Sequence, residues 1–442
     1  MTIELKKSSL IAAATLVGAL SGSTAAFAQD SNRSDAVLPA MADVLIRGAK
    51  VHTMSARGTL ANGDVLVHAG KIVAVVASGE HLQTPSGTNV VEAKGRALTP
   101  GMFAGLSHIG LEEISAESAT VDAGLDLKAP AWDQKWRPEF DVTPAFNARS
   151  TLIPVVRTEG LTWTVLEPAS GDSIIMGQGA AVAFDGTLGL ASKQALDGSR
   201  SLFVQLGSAA ESHSGGSRAA AYMLLDQAIA EARSPGAVGQ DALLHPAGRA
   251  VMARYLAGGR VVFAVERAAD ILEVIAFSEH NHIKPVISGG SEGWLVAAAL
   301  ARAHVPVVLN ALQDLPTDFD RLSSRLDNAA RLQRAGVLIA FSSGESHKAG
   351  SVRQLAGNAV AHGLPWEAAL AAVTANPAEI FGVGGSRGRI EKGQSADLVL
   401  WDGDPLEVTS AADQVWIDGR AFPMRSRQTE LRERYQGSAK AH

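Results

Sequence analysis

His108 closes the apolar run Ala97-Leu98-Thr99-Pro100-Gly101-Met102-Phe103-Ala104-Gly105-Leu106-Ser107, and an imidazole in that place is the first candidate for acid–base chemistry. Such a run, entered through Thr-Pro-Gly, is expected to be a buried strand whose C-terminal end presents Ser107 and His108 to a cavity. A neutral histidine there takes a proton from water or returns one to a leaving group. A second candidate is Gly177-Gln178-Gly179, expected as a tight turn whose backbone amides could approach a substrate carbonyl or carboxylate. A third is the stretch 111–160, which carries Glu112, Glu113, Glu117, Asp122, Asp126, Asp133 and Asp141 with Trp132 and Trp136. As a long segment after the first strand it would lie over a catalytic face, although a solvated acidic loop fits equally well. The absence of cysteine rules out thiolate metal ligands and a cysteine nucleophile.

These residues need a scaffold, and the middle of the chain supplies its pattern. Short apolar runs at 98–106, 161–167, 180–184, 202–206, 260–265, 284–288, 305–309 and 337–342 are expected as strands. Helical periodicity falls between the later ones, at 217–232, 246–256, 268–279, 293–303, 321–335 and 352–362. Alternation of this kind marks an α/β fold with a parallel sheet covered by helices, and eight units suit a (β/α)8 TIM-type barrel over residues 98–385. The open doubly wound sheet is second choice, because no phosphate-binding loop opens the first unit. Residues 43–97 and 386–424 are β-rich and glycine-punctuated, so the two ends are expected to build one small β-sandwich domain. Residues 425–442 form a charged tail.

The chain has 442 residues, 46% of them hydrophobic, enough for a large core with an accessory domain. Its formal charge of −6 offers no basic footprint for nucleic acid or an anionic membrane, which points to a small-molecule substrate or a protein partner. Lys6 and Lys7 precede an apolar run from Leu10 to Leu20 and then Ala26-Phe27-Ala28, the pattern of a secretory signal peptide over residues 1–28. Residues 29–42 would then be a leader, and the mature protein would be periplasmic with no membrane span.

The run through Pro100-Gly101 resembles the first barrel strand of the amidohydrolase superfamily, in which Pro-Gly-Leu-Ile-Asp-x-His-x-His supplies two metal ligands. In that alignment Leu106 stands at the first histidine and His108 at the second. Asn376-Pro377-Ala378 and Gly388-Arg389-Ile390-Glu391-Lys392-Gly393-Gln394-Ser395-Ala396-Asp397-Leu398-Val399 resemble the signature that closes amidohydrolase barrels. Gly177-Gln178-Gly179 resembles a stretch of exported imidazolonepropionase relatives. Ser342-Ser343-Gly344-Glu345 resembles the strand end that carries a catalytic aspartate, with Glu345 in its place and His347 beside it. Ala264 and the Gly289-Gly290 region stand where relatives carry further histidines, and Glu292 opens the next helix.

The resemblance implies a hydrolase of carbon–nitrogen bonds other than peptide bonds, acting on a small amide, cyclic amides included. It assigns His108, Glu345 and His347 to catalysis and Ser107, Gly177, Gln178, Gly179 and Glu292 to the substrate. It also makes His108 and Glu345 ligands of one divalent metal, zinc first, with a metal-free site as the alternative. A hydrolytic zinc needs about three protein ligands. A second reading is therefore a catalytically silent homologue, serving as a binding module or as partner subunit of an active homologue. Homo-oligomers fit either reading.

Overall fold

A computed structural model describes residues 38–439, apart from residue 81, residues 126–135, residue 172, residues 191–193, residues 235–238 and residue 240. The expected signal peptide, most of the leader, and Asp126, Trp132 and Asp133 lie outside the described residues.

The two β-rich ends do come together. β1 (Val44–His52), β2 (Thr59–His68), β3 (Lys71–Ala77), β4 (Asn89–Glu92) and β5 (Ala97–Pro100) precede the barrel region. That region contains β6 (Met102–Ser107), β7 (Leu161–Leu166), β8 (Ile175–Gly179), β9 (Ala181–Ala183), β10 (Ser201–Gln205), β11 (Arg260–Val265), β12 (Lys284–Gly289), β13 (Val307–Leu309) and β14 (Ile339–Phe341). β15 (Leu398–Trp401), β16 (Ala412–Ile417) and β17 (Arg420–Phe422) follow it. β5 pairs antiparallel with β15, Leu98 opposite Leu400, and so joins both termini in one eight-stranded sheet, ordered β17-β16-β15-β5-β1-β2-β3 with β4 beside β1. The pairing gives a single sheet, where a sandwich would have two. Its own core includes Ile46, Val51, Val65, Val67, Leu98, Leu400 and Trp416, the residues that strand alternation turns inward.

All eight barrel positions expected from the sequence are occupied, but not all in the expected direction. β10, β11, β12, β13 and β14 form a parallel arc, and β6 and β7 form another. Between them β8 and β9 run antiparallel to β10 and β7, as two halves of one strand bent at Ala180. The cause is chain length. Residues 167–174 alone connect β7 to β8, too few for the dozen or more that a parallel crossover needs.

The ladder is also open between β14 and β6. There Phe341 N donates to Ala372 O (3.2 Å) and Phe103 N to Val373 O (2.8 Å), while Leu106 N donates to Ser342 Oγ (3.1 Å). The α/β class stands, and the closed eight-stranded parallel barrel is replaced by two arcs joined through these bonds.

One buried cluster fills the space the arcs enclose, drawing Phe103, Leu106, Trp163, Val165, Ala181, Phe203, Val262, Val286, Val308 and Ala340 from successive strands. The opposite strand faces pack against the helices in a larger core. Helices Arg218–Arg233, Pro246–Leu256, Ala268–Asn281 and Val352–Ala361 form close to where periodicity placed them. Ser217 Oγ caps the first by accepting from Ala220 N at 3.2 Å. The helix expected over 321–335 is confined to Asn328–Arg334, because Asp320, Arg321 and Ser323 are drawn into tertiary bonds described below. The charged tail forms helix Arg427–Ala439. No helix among the described residues is long and apolar enough to cross a membrane.

Candidate active site

The ends of β6 and β7 bring together the residues best suited to proton transfer. Gly105 has φ +91°, and a Cβ there would lie 2.6 Å from Ser342 Oγ, so only glycine permits this close approach. The register of β6 on β7 shifts between Phe103 and Leu106, as at a bulge, which puts Leu106 in the interior layer. Alternation beyond Leu106 then aims His108 into the mouth, and alternation beyond Val165 aims Glu167 there as well. Ser107 pairs with Leu166 and Glu167 N donates to Ser107 O (3.2 Å), so His108 and Glu167 face the mouth from adjacent strand ends.

Their environments set their protonation. Burial pulls the His108 imidazole below the usual histidine value, against the pull of Glu112, which leaves it neutral at neutral pH. Glu112 is buried, with Oε2 3.7 Å from His108 Nδ1, an ion-pair distance rather than a hydrogen bond. Glu167 is half-buried and its carboxyl meets no hydrogen-bond or ion-pair partner among the described residues. Burial without a partner pushes that carboxyl up to about 7. Nothing in the sequence analysis singled out Glu167. The signal was available, since it ends the second barrel strand just as His108 ends the first.

Several expected site residues take other places. Ser107 turns away from the mouth, its Oγ 2.7 Å from Thr164 Oγ1 and accepting from Ile109 N. Gly177-Gln178-Gly179 is part of strand β8, not a turn. A Cβ on Gly179 would fall 1.8 Å from Leu166 O and one on Gly177 2.7 Å from Phe140 O, so the glycines serve backbone packing. Gln178 is buried and its Oε1 accepts from Tyr255 Oη at 3.1 Å. Glu292 does reach the strand-end face, but Ala268 N and Ser323 N occupy its two oxygens at 3.1 and 3.0 Å. Glu345 and His347 are 48% and 58% exposed, and the carboxylate is held by Lys348 Nζ (2.9 Å) and His347 Nε2 (3.2 Å). The Lys348 bond keeps Glu345 below the usual carboxylate range, which makes it a weak base. Its neighbour Ser346 is closer to the chemistry, with Oγ accepting from His108 N at 3.0 Å.

The opposite side of the mouth is charged but closed. Arg218 bonds Asp270 Oδ2 (3.1 Å), Glu211 (3.1 Å) and Asp320, and Arg267 bonds Asp270 Oδ1 (2.6 Å). Arg321 bonds Glu266 Oε1 at 2.9 Å, while Ser291 N and Oγ fill Oε2. Segment 318–323 is thereby strapped over the ends of β10, β11 and β12.

The metal expected from the resemblance does not fit these residues. No three His, Asp or Glu side chains stand together as a metal site among the described residues. Leu106 is 2% exposed inside the apolar layer, and Glu345 is engaged by Lys348 and His347.

Comparison with known proteins gives the chain its relatives. Residues 347–422 match the Amidohydrolase family. Amidohydrolase tasK of Hapsidospora irregularis is 55% identical over 60 residues, which is 14% of this chain and 6% of that protein. The chain thus matches only a small part of that relative's length. Among solved structures, an amidohydrolase from Thermotoga maritima MSB8 aligns over 86% of this chain and 100% of its own, at 24% identity and a TM-score of 0.73. An adenosine deaminase from Xanthomonas campestris, solved with bound zinc, aligns over 87% of this chain and 93% of its own, at 18% identity and a TM-score of 0.50. Similarity at such identities speaks for the fold.

Proposed function

We propose that the chain, whose residues 347–422 match the Amidohydrolase family and whose fold resembles that of an amidohydrolase, is an exported hydrolase of carbon–nitrogen bonds other than peptide bonds, working on a small amide from the His108–Glu112–Glu167 mouth. The observation that carries this reading is the pair His108 and Glu167 on adjacent strand ends, one burial-shifted down and the other up. Neutral His108 takes a proton from the water that attacks the amide carbon, and the Glu112 carboxylate beside Nδ1 stabilises the imidazolium that forms. Protonated Glu167 gives its proton to the departing nitrogen, so the carbon–nitrogen bond breaks to a carboxylic acid and an amine. Recovery is a proton passing back from His108 to Glu167 through water. Residues 1–28 direct the chain to the periplasm in this reading, with maturation at Gln29.

The order of the two pKa values makes a sharp test. Activity rises with pH as His108 loses its proton below the usual histidine range and falls as Glu167 loses its proton near 7. A bell in kcat/KM against pH, with its alkaline limb near 7, is expected for mature, untagged protein on a panel of linear and cyclic amides. Metal content of the same preparation, by plasma mass spectrometry, accompanies it. Turnover unchanged in both His108→Ala and Glu167→Gln would overturn the mechanism. A ligand that raises Tm but is never converted would favour the silent homologue.

A further inference from the structure

A cavity of about 420 Å³ lies between helix Leu152–Thr158, the turn Ser346–Ser351 and the start of helix Val352–Ala361, with Val408 and Gln428 on its rim. That volume is within the range of small-ligand sites. Val155, Val156 and Val408 give it an apolar wall, and two cations, Lys348 and Arg353, line it with the carboxylate of Glu159.

Arg353 is buried, and its Nε and Nη2 are committed to the carbonyls of Pro405, Glu407 and Ser410 at 2.8–2.9 Å. Its Nη1 has only a 3.3 Å contact with Glu159, whose side chain is 47% exposed and free to withdraw. Burial disfavours the Arg353 charge, so a better anionic partner at Nη1 would be gained at a desolvated position. Lys348, on the exposed rim, holds Glu345 at 2.9 Å.

We propose that this cavity is a binding site for a small amphipathic carboxylate, its chain against Val155, Val156 and Val408 and its head group on Lys348 Nζ and Arg353 Nη1. Glu159 gives way to the ligand, and Lys348 is drawn off Glu345. The site is separate from the catalytic mouth, although Ser346 contributes to its lining and also accepts the His108 N–H.

Octanoate, octanol and octylamine, which share a chain and differ in head group, are the probes. Octanoate should raise Tm and show saturable heat on titration, and the other two should do neither at equal concentration. Lys348→Glu should weaken octanoate by about tenfold, Lys348→Arg should retain it, and His108→Ala should leave it unchanged. Equal stabilisation by octanol, undiminished binding in Lys348→Glu, or loss of binding in His108→Ala would each overturn the proposal, the last by placing octanoate in the mouth.

Discussion

The two sides of the barrel mouth carry similar residues in different conditions. On the β10–β12 side Glu266, Asp270, Glu292 and Asp320 have their oxygens filled by arginines or backbone N–H groups. On the β6–β7 side Glu167 has no partner among the described residues, and His108 has a distant one in Glu112. A carboxylate saturated with donors is ionised, oriented and inert. One left enclosed without them retains a proton near neutral pH and can pass it on. Strand-end position alone therefore does not identify chemistry; pairing decides which charged residues hold the loops and which remain free to react.

Substitutions on the two sides should separate these roles. Glu167→Gln should lower kcat about 10²- to 10⁴-fold, whereas Glu345→Gln, which alters an exposed carboxylate already shared by Lys348 and His347, should stay within a few-fold. Steady-state kinetics on one amide suffices, and equal losses would erase the distinction. Asp270→Ala should instead cost stability, about 1–2 kcal/mol in chemical denaturation, because Arg218 and Arg267 lose a buried partner while water and, for Arg218, Glu211 and Asp320 still reach them, and the shape of the pH–rate profile should persist.

Smaller effects follow from the titrations. Glu167 is raised in the folded state, so the fold binds more protons than the unfolded chain between about pH 4.5 and 7, and stability falls as pH rises through that window. Glu167→Gln should thus be more stable than the parent at pH 8, by on the order of 1–2 kcal/mol, with the gain vanishing near pH 4.5. That would be the stability–activity exchange typical of a reactive site. His52, buried against Trp366 in the composite sheet, is the opposite case, its pKa pulled down to about 4. Its contribution is present above about pH 6.5 and lost as pH falls towards 4, so His52→Gln should flatten the acid limb by on the order of 1 kcal/mol. Urea midpoints from pH 4 to 8 would measure both, and parallel slopes in parent and variants would refute them.

Much of the scaffold was legible from periodicity. The apolar runs and helical stripes located eight strand positions and most helices, because burial on two faces or on one leaves a local mark in residue order, while the β-rich ends join in one sheet instead of the expected sandwich. His108 was legible for the same reason, as a polar residue ending a buried run. Glu167 ends an equivalent run but belongs to no recognisable motif. Gly177-Gln178-Gly179 looked like a turn because glycine marks both turns and close backbone contacts, and only the neighbours Leu166 and Phe140 tell which.

By itself, then, the amino-acid order determined where apolar strands and helices lie, that cysteine chemistry is absent, and which residues end the strands. The tertiary structure decided that the third strand reverses, that Ser107 faces away from the mouth, that Glu292 is saturated, and that Glu345 belongs to Lys348 and His347. The physical reason is range. Burial patterns repeat within a few residues, but hydrogen-bond partners and protonation are set by groups far apart in the chain, and those meet only on folding.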